Sequence, residues 1–275
     1  MAPPRSEPRP DEADDASGTV ARVVRLLRVI AESGGSLSVK TLAGRLALPS
    51  STVHRQLQLL ARSGLVEHDD TTRTYRAGRE YFRIASLVVQ RFDVGHVVRP
   101  VLESLRDRTE ETCFFTMYLP AAREATIVEV ARSPHPLRYQ VDRFTHIPLA
   151  WGALGRSILA HLGDADLDAI VATAAPSAAT GRPLPRIATL RAELARIALR
   201  GYAMSKGQNI AGAVGLASAI LDARGAVVGS IGLTMPEARL TTAASERFPG
   251  LVVEHARRLS TTLGWREGSG RREEG

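Results

Sequence analysis

The stretch Ser50-Ser51-Thr52-Val53-His54-Arg55-Gln56 sets six hydrogen-bonding side chains around a single apolar one. At helical spacing Val53 and Leu57 face one way, which leaves Ser51, Thr52, His54, Arg55 and Gln56 as the expected exposed positions. These side chains suit a nucleic acid. Arg55 can grip guanine O6 and N7 together, Gln56 can read adenine, and the small hydroxyls of Ser50, Ser51 and Thr52 can bind phosphate. An ordinary surface helix with a capping serine has the same periodicity, so the elements around the stretch decide its meaning.

Those elements follow the order helix, helix, helix, hairpin. Val20, Val23, Val24, Leu27 and Ile30 recur at helical spacing until Gly34-Gly35 stops them, and Ser38 can cap a short second helix carrying Leu42 and Leu46. Leu48-Pro49 breaks that helix, because the residue before proline is pushed out of the helical region. The third helix starts at the Ser50-Ser51 caps and ends at Gly64. Leu65-Val66-Glu67 and Thr74-Tyr75-Arg76 then read as two strands about the turn Asp69 to Thr72. On this wing Arg73 and Arg76 could reach the DNA backbone or minor groove, and Arg22 and Arg25 could add phosphate contacts from the first helix.

Charge placement agrees. The 275 residues carry a formal net charge of +7, and only Lys40 and Lys206 among the 36 basic residues are lysines. Between Gly18 and Gly78, nine basic residues face four acidic ones, so the excess is concentrated where the helix-turn-helix pattern lies. Residues 1–17, acidic and rich in proline, read as a disordered tail, and residues 265–275 as a C-terminal tail. Residues 18–80 form the expected DNA-binding domain, 81–95 a linker helix and 96–264 a second domain.

In that second domain Cys113 to Leu119, Thr126 to Val130, Leu137 to Val141, Val214 to Leu221 and Ala226 to Met235 read as strands. Helices are expected over Val97 to Thr109, Ala153 to His161, Asp166 to Thr173, around Leu190 to Ala198, and from Thr242 to Leu263 with a bend at Pro249. The fold class is α+β, an antiparallel sheet flanked by helices behind a winged helix-turn-helix.

These motifs resemble the IclR-type transcriptional regulators. Ser38-Val39-Lys40-Thr41-Leu42-Ala43, Leu48 to Arg55, Gly64-Leu65-Val66-Glu67 and Tyr75-Arg76-Ala77-Gly78 carry the likeness in the first domain. In the second it rests on Pro148-Leu149, Gly155 to Ala160, Arg200-Gly201-Tyr202-Ala203, Gly212 to Ala217 and Gly229 to Leu233. The resemblance implies a GAF-like effector-binding domain in a homodimer or homotetramer. It places a ligand pocket at Tyr139, Ile147, Trp151, Ala153, Leu154, Ser205, Ala213, Gly215, Gly232 and Thr234. The chain departs from the family pattern at Gln56, where an apolar residue is common, and at Gln208, where an acid is usual. It departs also at Arg156, in place of lysine, and at the bulky Trp151. With Trp151 and Tyr139 as flat walls and no fixed cation, the expected ligand is a small aromatic or apolar organic acid.

Other functions find little support. Gly155-Arg156-Ser157 lacks the closing glycine of a nucleophile elbow, no phosphate-binding glycine loop occurs, and the seven histidines and lone Cys113 form no metal-binding frame. No catalytic residue, metal or cofactor is therefore expected. The longest nearly uncharged apolar run, Ala211 to Leu221, is far shorter than the roughly 20 residues of a membrane span. The single cysteine permits no internal disulfide, in line with a cytoplasmic protein. The expected function is a sequence-specific, ligand-responsive regulator binding a double-stranded DNA operator. Two alternatives are a small-molecule enzyme with an accessory basic domain and a nonspecific DNA-coating protein.

Overall fold

A computed structural model describes residues 18–91 and 94–266. The two expected tails, 1–17 and most of 265–275, lie outside the described residues, as do positions 92–93 of the expected linker helix. The chain divides into two compact units, residues 1–93 and 94–275.

In the first unit, α1 (Thr19–Glu32), α2 (Val39–Leu46) and α3 (Ser50–Arg62) pack around Leu26, Ile30, Leu42, Leu46, Val53, Leu57 and Leu60, all nearly inaccessible to solvent. Ser38 caps α2 as expected, its hydroxyl accepting the Thr41 N–H at 3.2 Å. The turn into α3 begins with Ala47 in the left-handed region (φ 54°) and ends at Pro49, which precedes the helix without a side-chain cap; the expected serine cap is absent. Behind α3 lies a three-stranded antiparallel sheet in the order β1 (Leu37–Ser38), β3 (Thr74–Ala77), β2 (Val66–Asp69). The two-residue β1 was not expected. Asp69 shapes the wing tip by accepting the N–H groups of Thr71 (2.9 Å) and Thr72 (3.1 Å). Helix α4 (Arg79–Arg91) follows.

The second unit opens with α5 (Val94–Thr109). Its sheet is six-stranded and antiparallel, in the order β6 (His146–Ile147), β5 (Glu124–Ala131), β4 (Thr112–Leu119), β9 (Val227–Pro236), β8 (Ala213–Leu221), β7 (Ala203–Lys206). Nearly continuous apolar runs along the central strands β4, β9 and β8 give it two apolar faces, and helices cover both. On one face α5 and α9 (Thr242–Thr262) bury Val101, Leu105, Phe248 and Val252 against Cys113, Leu216 and Ile231. On the other, α6 (Gly152–Leu159), α7 (Asp164–Thr173) and α8 (Ile187–Arg200) bury Ile158, Leu167 and Leu190 against Tyr118, Ala125 and Ala217. The α+β class is as expected.

One expected strand is wrong. Residues 137–141 form no strand; the Leu137 carbonyl accepts Arg239 at 2.7 Å rather than a ladder N–H, and the same guanidinium grips both oxygens of buried Glu111 at 2.6 Å. The short strands β6 and β7 take the sheet edges instead. Among the described residues no helix is long and apolar enough to cross a membrane.

Candidate functional sites: the exposed face of the third helix and a small cavity

Helix α3 presents Ser51, His54 and Arg55 to solvent, with Ser50 exposed at its start and Thr52 half-buried. Gln56 is a correction. It is 3% exposed and packs beside Val53 and Leu57 with its side-chain oxygen unpaired, so it cannot read a base. The outward amide is Gln58, one turn after His54, whose Nε2 lies 3.2 Å from the Gln58 amide nitrogen. The recurrence of core positions at 53, 57 and 60 was the signal that sets 56 on the inner face and 58 outside.

The side chains of Arg55, Arg22 and Arg73 make no hydrogen bond or ion pair among the described residues; Arg73 stands at the wing tip in the left-handed region (φ 53°). Arg76 is committed. Its guanidinium donates to Glu67 across the wing at 2.9 and 3.1 Å, and this bond holds the Glu67 carboxyl below the usual carboxylate range. Arg25 likewise donates to the Leu46 carbonyl at the end of α2 (3.3 Å).

The second unit contains a cavity of about 270 Å³ between the sheet and α6. Of the ten positions implicated by resemblance, Ile147, Ala153, Leu154, Ser205, Ala213, Gly215 and Thr234 line it. Ser205, Gly215 and Thr234 lie in one cross-strand row, because β7 and β9 both pair with β8 at Gly215. A Cβ at Gly215 would sit 3.0 Å from the Ser205 hydroxyl and 3.3 Å from Ala153, so the glycine opens the floor. Ser205 is 8% exposed and its hydroxyl has no partner among the described residues.

Three expected positions do not line this cavity. Trp151 is buried, donates its indole N–H to the Ala175 carbonyl (2.8 Å) and stacks near the Arg156 guanidinium. The Tyr139 hydroxyl donates to the Ala211 carbonyl (3.2 Å). Gly232 serves the sheet: a Cβ there would lie 2.3 Å from the Leu216 carbonyl oxygen. Arg156, where lysine was usual, is a buried clamp, donating to the Ala150 carbonyl (3.1 Å) and to Glu193.

Residues not anticipated as lining include Phe114, Val141, Thr145, His146, Gln208 and Asn209. Gln208, which departs from the family pattern, accepts the Gly152 N–H at the start of α6 through its Oε1 (3.0 Å). Among the described residues no lysine or arginine lines the cavity.

A helix-turn-helix with an uncommitted arginine on its outer helix, followed by an α+β unit that holds a small, mostly apolar cavity, is the architecture of a DNA-binding regulator. Residues 19–70 match the IclR helix-turn-helix domain and residues 86–261 the family "Bacterial transcriptional regulator IclR C-terminal". The chain belongs to the IclR family of bacterial transcriptional regulators. It is 25% identical to the transcriptional repressor IclR of Escherichia coli K12 over 246 residues, 90% of each chain. The fold matches a Silicibacter sp. TM1040 protein described as an IclR transcriptional regulator (TM-score 0.83, 23% identity, 92% of this chain and 100% of that one). It also matches a Microbacterium hydrocarbonoxydans IclR homologue complexed with 4-hydroxybenzoate (TM-score 0.72, 22% identity, 90% and 99%). The chain is thus a transcriptional regulator and not an enzyme.

Proposed function

We propose that this regulator binds its operator through Ser50, Ser51, Thr52, His54 and Arg55, with Arg22, Arg73 and Arg76 at the backbone, and that a small organic acid in the cavity sets its affinity. The observation that carries the effector reading is the Ser205 hydroxyl, which belongs to a buried residue, lines the cavity near the start of α6 and has no partner among the described residues. Ala153 and Leu154 line the cavity there, and their N–H groups belong to the first turn, which an α-helix leaves without internal partners. Such donors suit a carboxylate without a fixed cation, and the helix dipole has the right sign. Apolar walls such as Phe114, Ile147 and Leu233 suit an aromatic or aliphatic body. The 4-hydroxybenzoate of the Microbacterium homologue is an acid of this kind.

The sheet flanked on both faces supports the GAF-like reading of residues 96–264, and the organisation is 18–80 for DNA, 81–95 as linker and 96–264 for the effector. A homodimer is favoured by apolar side chains that the first unit leaves exposed, Val20 and Val24 on α1 and Phe82 and Leu87 on α4. Two-fold operators are read by such pairs. Genomic footprinting of the tagged protein, followed by titration of benzoate-type acids against the footprinted duplex, tests the whole reading: one preferred site released by an acid is expected. Equal binding to all duplexes, or release by no acid, contradicts it.

A further inference from the structure

A second cavity of about 310 Å³ adjoins the first. Ile147, Pro148, Ala178 and Asn209 line both, so these four residues form a shared wall. Beyond that wall the lining is Trp151, Leu149, Ile170, Ala174 and Pro176, with Arg123 and Glu124 also lining it. The aromatic surface expected of the effector pocket therefore lies in the outer chamber.

Asn209 is the polar member of the shared wall and it is loosely held. Its amide nitrogen donates to the Trp151 carbonyl at 3.4 Å, and its Oδ1 is buried without a partner. It packs on Gly152, where a Cβ would come within 2.4 Å of that amide nitrogen, so it sits directly beside the start of α6. A buried acceptor without a donor is costly, and a bound molecule that supplies the donor recovers that cost. The inner chamber alone falls just short of the roughly 300–1,000 Å³ typical of small-molecule sites, whereas the pair lies within that range.

We infer that the two chambers are one site for an elongated acid: carboxylate at the start of α6, an N–H or O–H one or two atoms further along facing Asn209 Oδ1, and an aryl or alkyl group against Trp151. This inference rests on the carboxylate reading proposed above and adds the class of molecule, an N-acyl amino acid or similarly built hydroxy acid. Asn209 is then a specificity-determining residue, and Trp151 supplies a stacking face.

The test is calorimetric titration of the full-length protein with three probes. Benzoate reaches only the inner chamber. Hippurate, N-benzoylglycine, has the carboxylate, the N–H and the distal ring. 3-Benzoylpropionate replaces that N–H by CH2 and keeps the rest. Hippurate is expected to bind at least about tenfold more tightly than benzoate, and 3-benzoylpropionate about tenfold more weakly than hippurate. Asn209→Leu should abolish the difference between the two long acids. Thr173→Trp, at an exposed position lining the outer chamber, should weaken hippurate about tenfold and leave benzoate unchanged. Benzoate binding with no gain for hippurate, or hippurate binding untouched by Thr173→Trp, overturns the two-chamber site while leaving the acid reading intact. Failure of all three acids to bind overturns both.

Discussion

Gln56 shows what a single side chain reveals once its surroundings are known. Its amide oxygen is buried without a hydrogen bond, a state that costs about 1–3 kcal/mol. Gln56→Leu should therefore raise stability by about 1 kcal/mol, read as a higher urea midpoint at unchanged slope, and should leave operator affinity as it was. A selective loss on the cognate duplex would return Gln56 to the reading face. His161, after α6, makes a pH prediction. Burial pushes its pKa below the usual histidine value although its Nδ1–H donates to the Ser157 carbonyl (2.9 Å). The folded state thus prefers the neutral ring. Stability is full above the unfolded pKa of about 6.5 and falls as the pH drops below it, because the unfolded chain takes up the proton first. Chemical denaturation between pH 7 and 5 should show a shallower loss in His161→Gln than in the wild type; parallel curves would exclude this origin.

At the scale of elements, α6 organises the cavity, and its packing depends on Gly155. A Cβ at that position would lie 2.1 Å from the Pro148 carbonyl oxygen and 2.8 Å from Leu149 Cα, both backbone atoms that cannot swing aside. Gly155→Ala should cost about 1–3 kcal/mol by forcing α6 away from segment 148–151, and it should also weaken benzoate binding. An unchanged thermal midpoint would show that the helix is free to shift. The wing presents a different balance: Arg73 is uncommitted, while Arg76 holds Glu67 through Nε and Nη2 and has its Nη1 left for a phosphate.

At the scale of the whole molecule, the second unit holds its own core on both sheet faces, with Val252 and Leu216 fully buried on one and Ile158 and Leu190 on the other. Both tryptophans, Trp151 and Trp265, belong to it. Residues 94–266 expressed alone should give a cooperative thermal transition with a native near-UV signal from the buried Trp151. A molten fragment, lacking that signal, would mean that the effector domain needs the rest of the chain.

Periodicity, caps and breakers were enough to place α1, α2 and α3, because a helix's apolar stripe and its caps are local in sequence. The long strands β4, β8 and β9 were equally legible as apolar runs between turn residues. The type of chemistry on α3 was legible too, since Ser51, His54 and Arg55 announce hydrogen bonding whatever surrounds them. What the sequence by itself left open is which groups meet. Edge strands β6 and β7, of two and four residues, carry too little pattern to be seen before their partners are known. Tyr139 and Trp151 sit away from the inner cavity because their polar atoms are claimed by the carbonyls of Ala211 and Ala175, distant in sequence. Segment 137–141 is no strand, and its Leu137 carbonyl is met instead by Arg239, about a hundred residues further on. Local propensity could not decide these points, because burial and hydrogen-bond satisfaction depend on contacts that exist only once the chain has closed on itself.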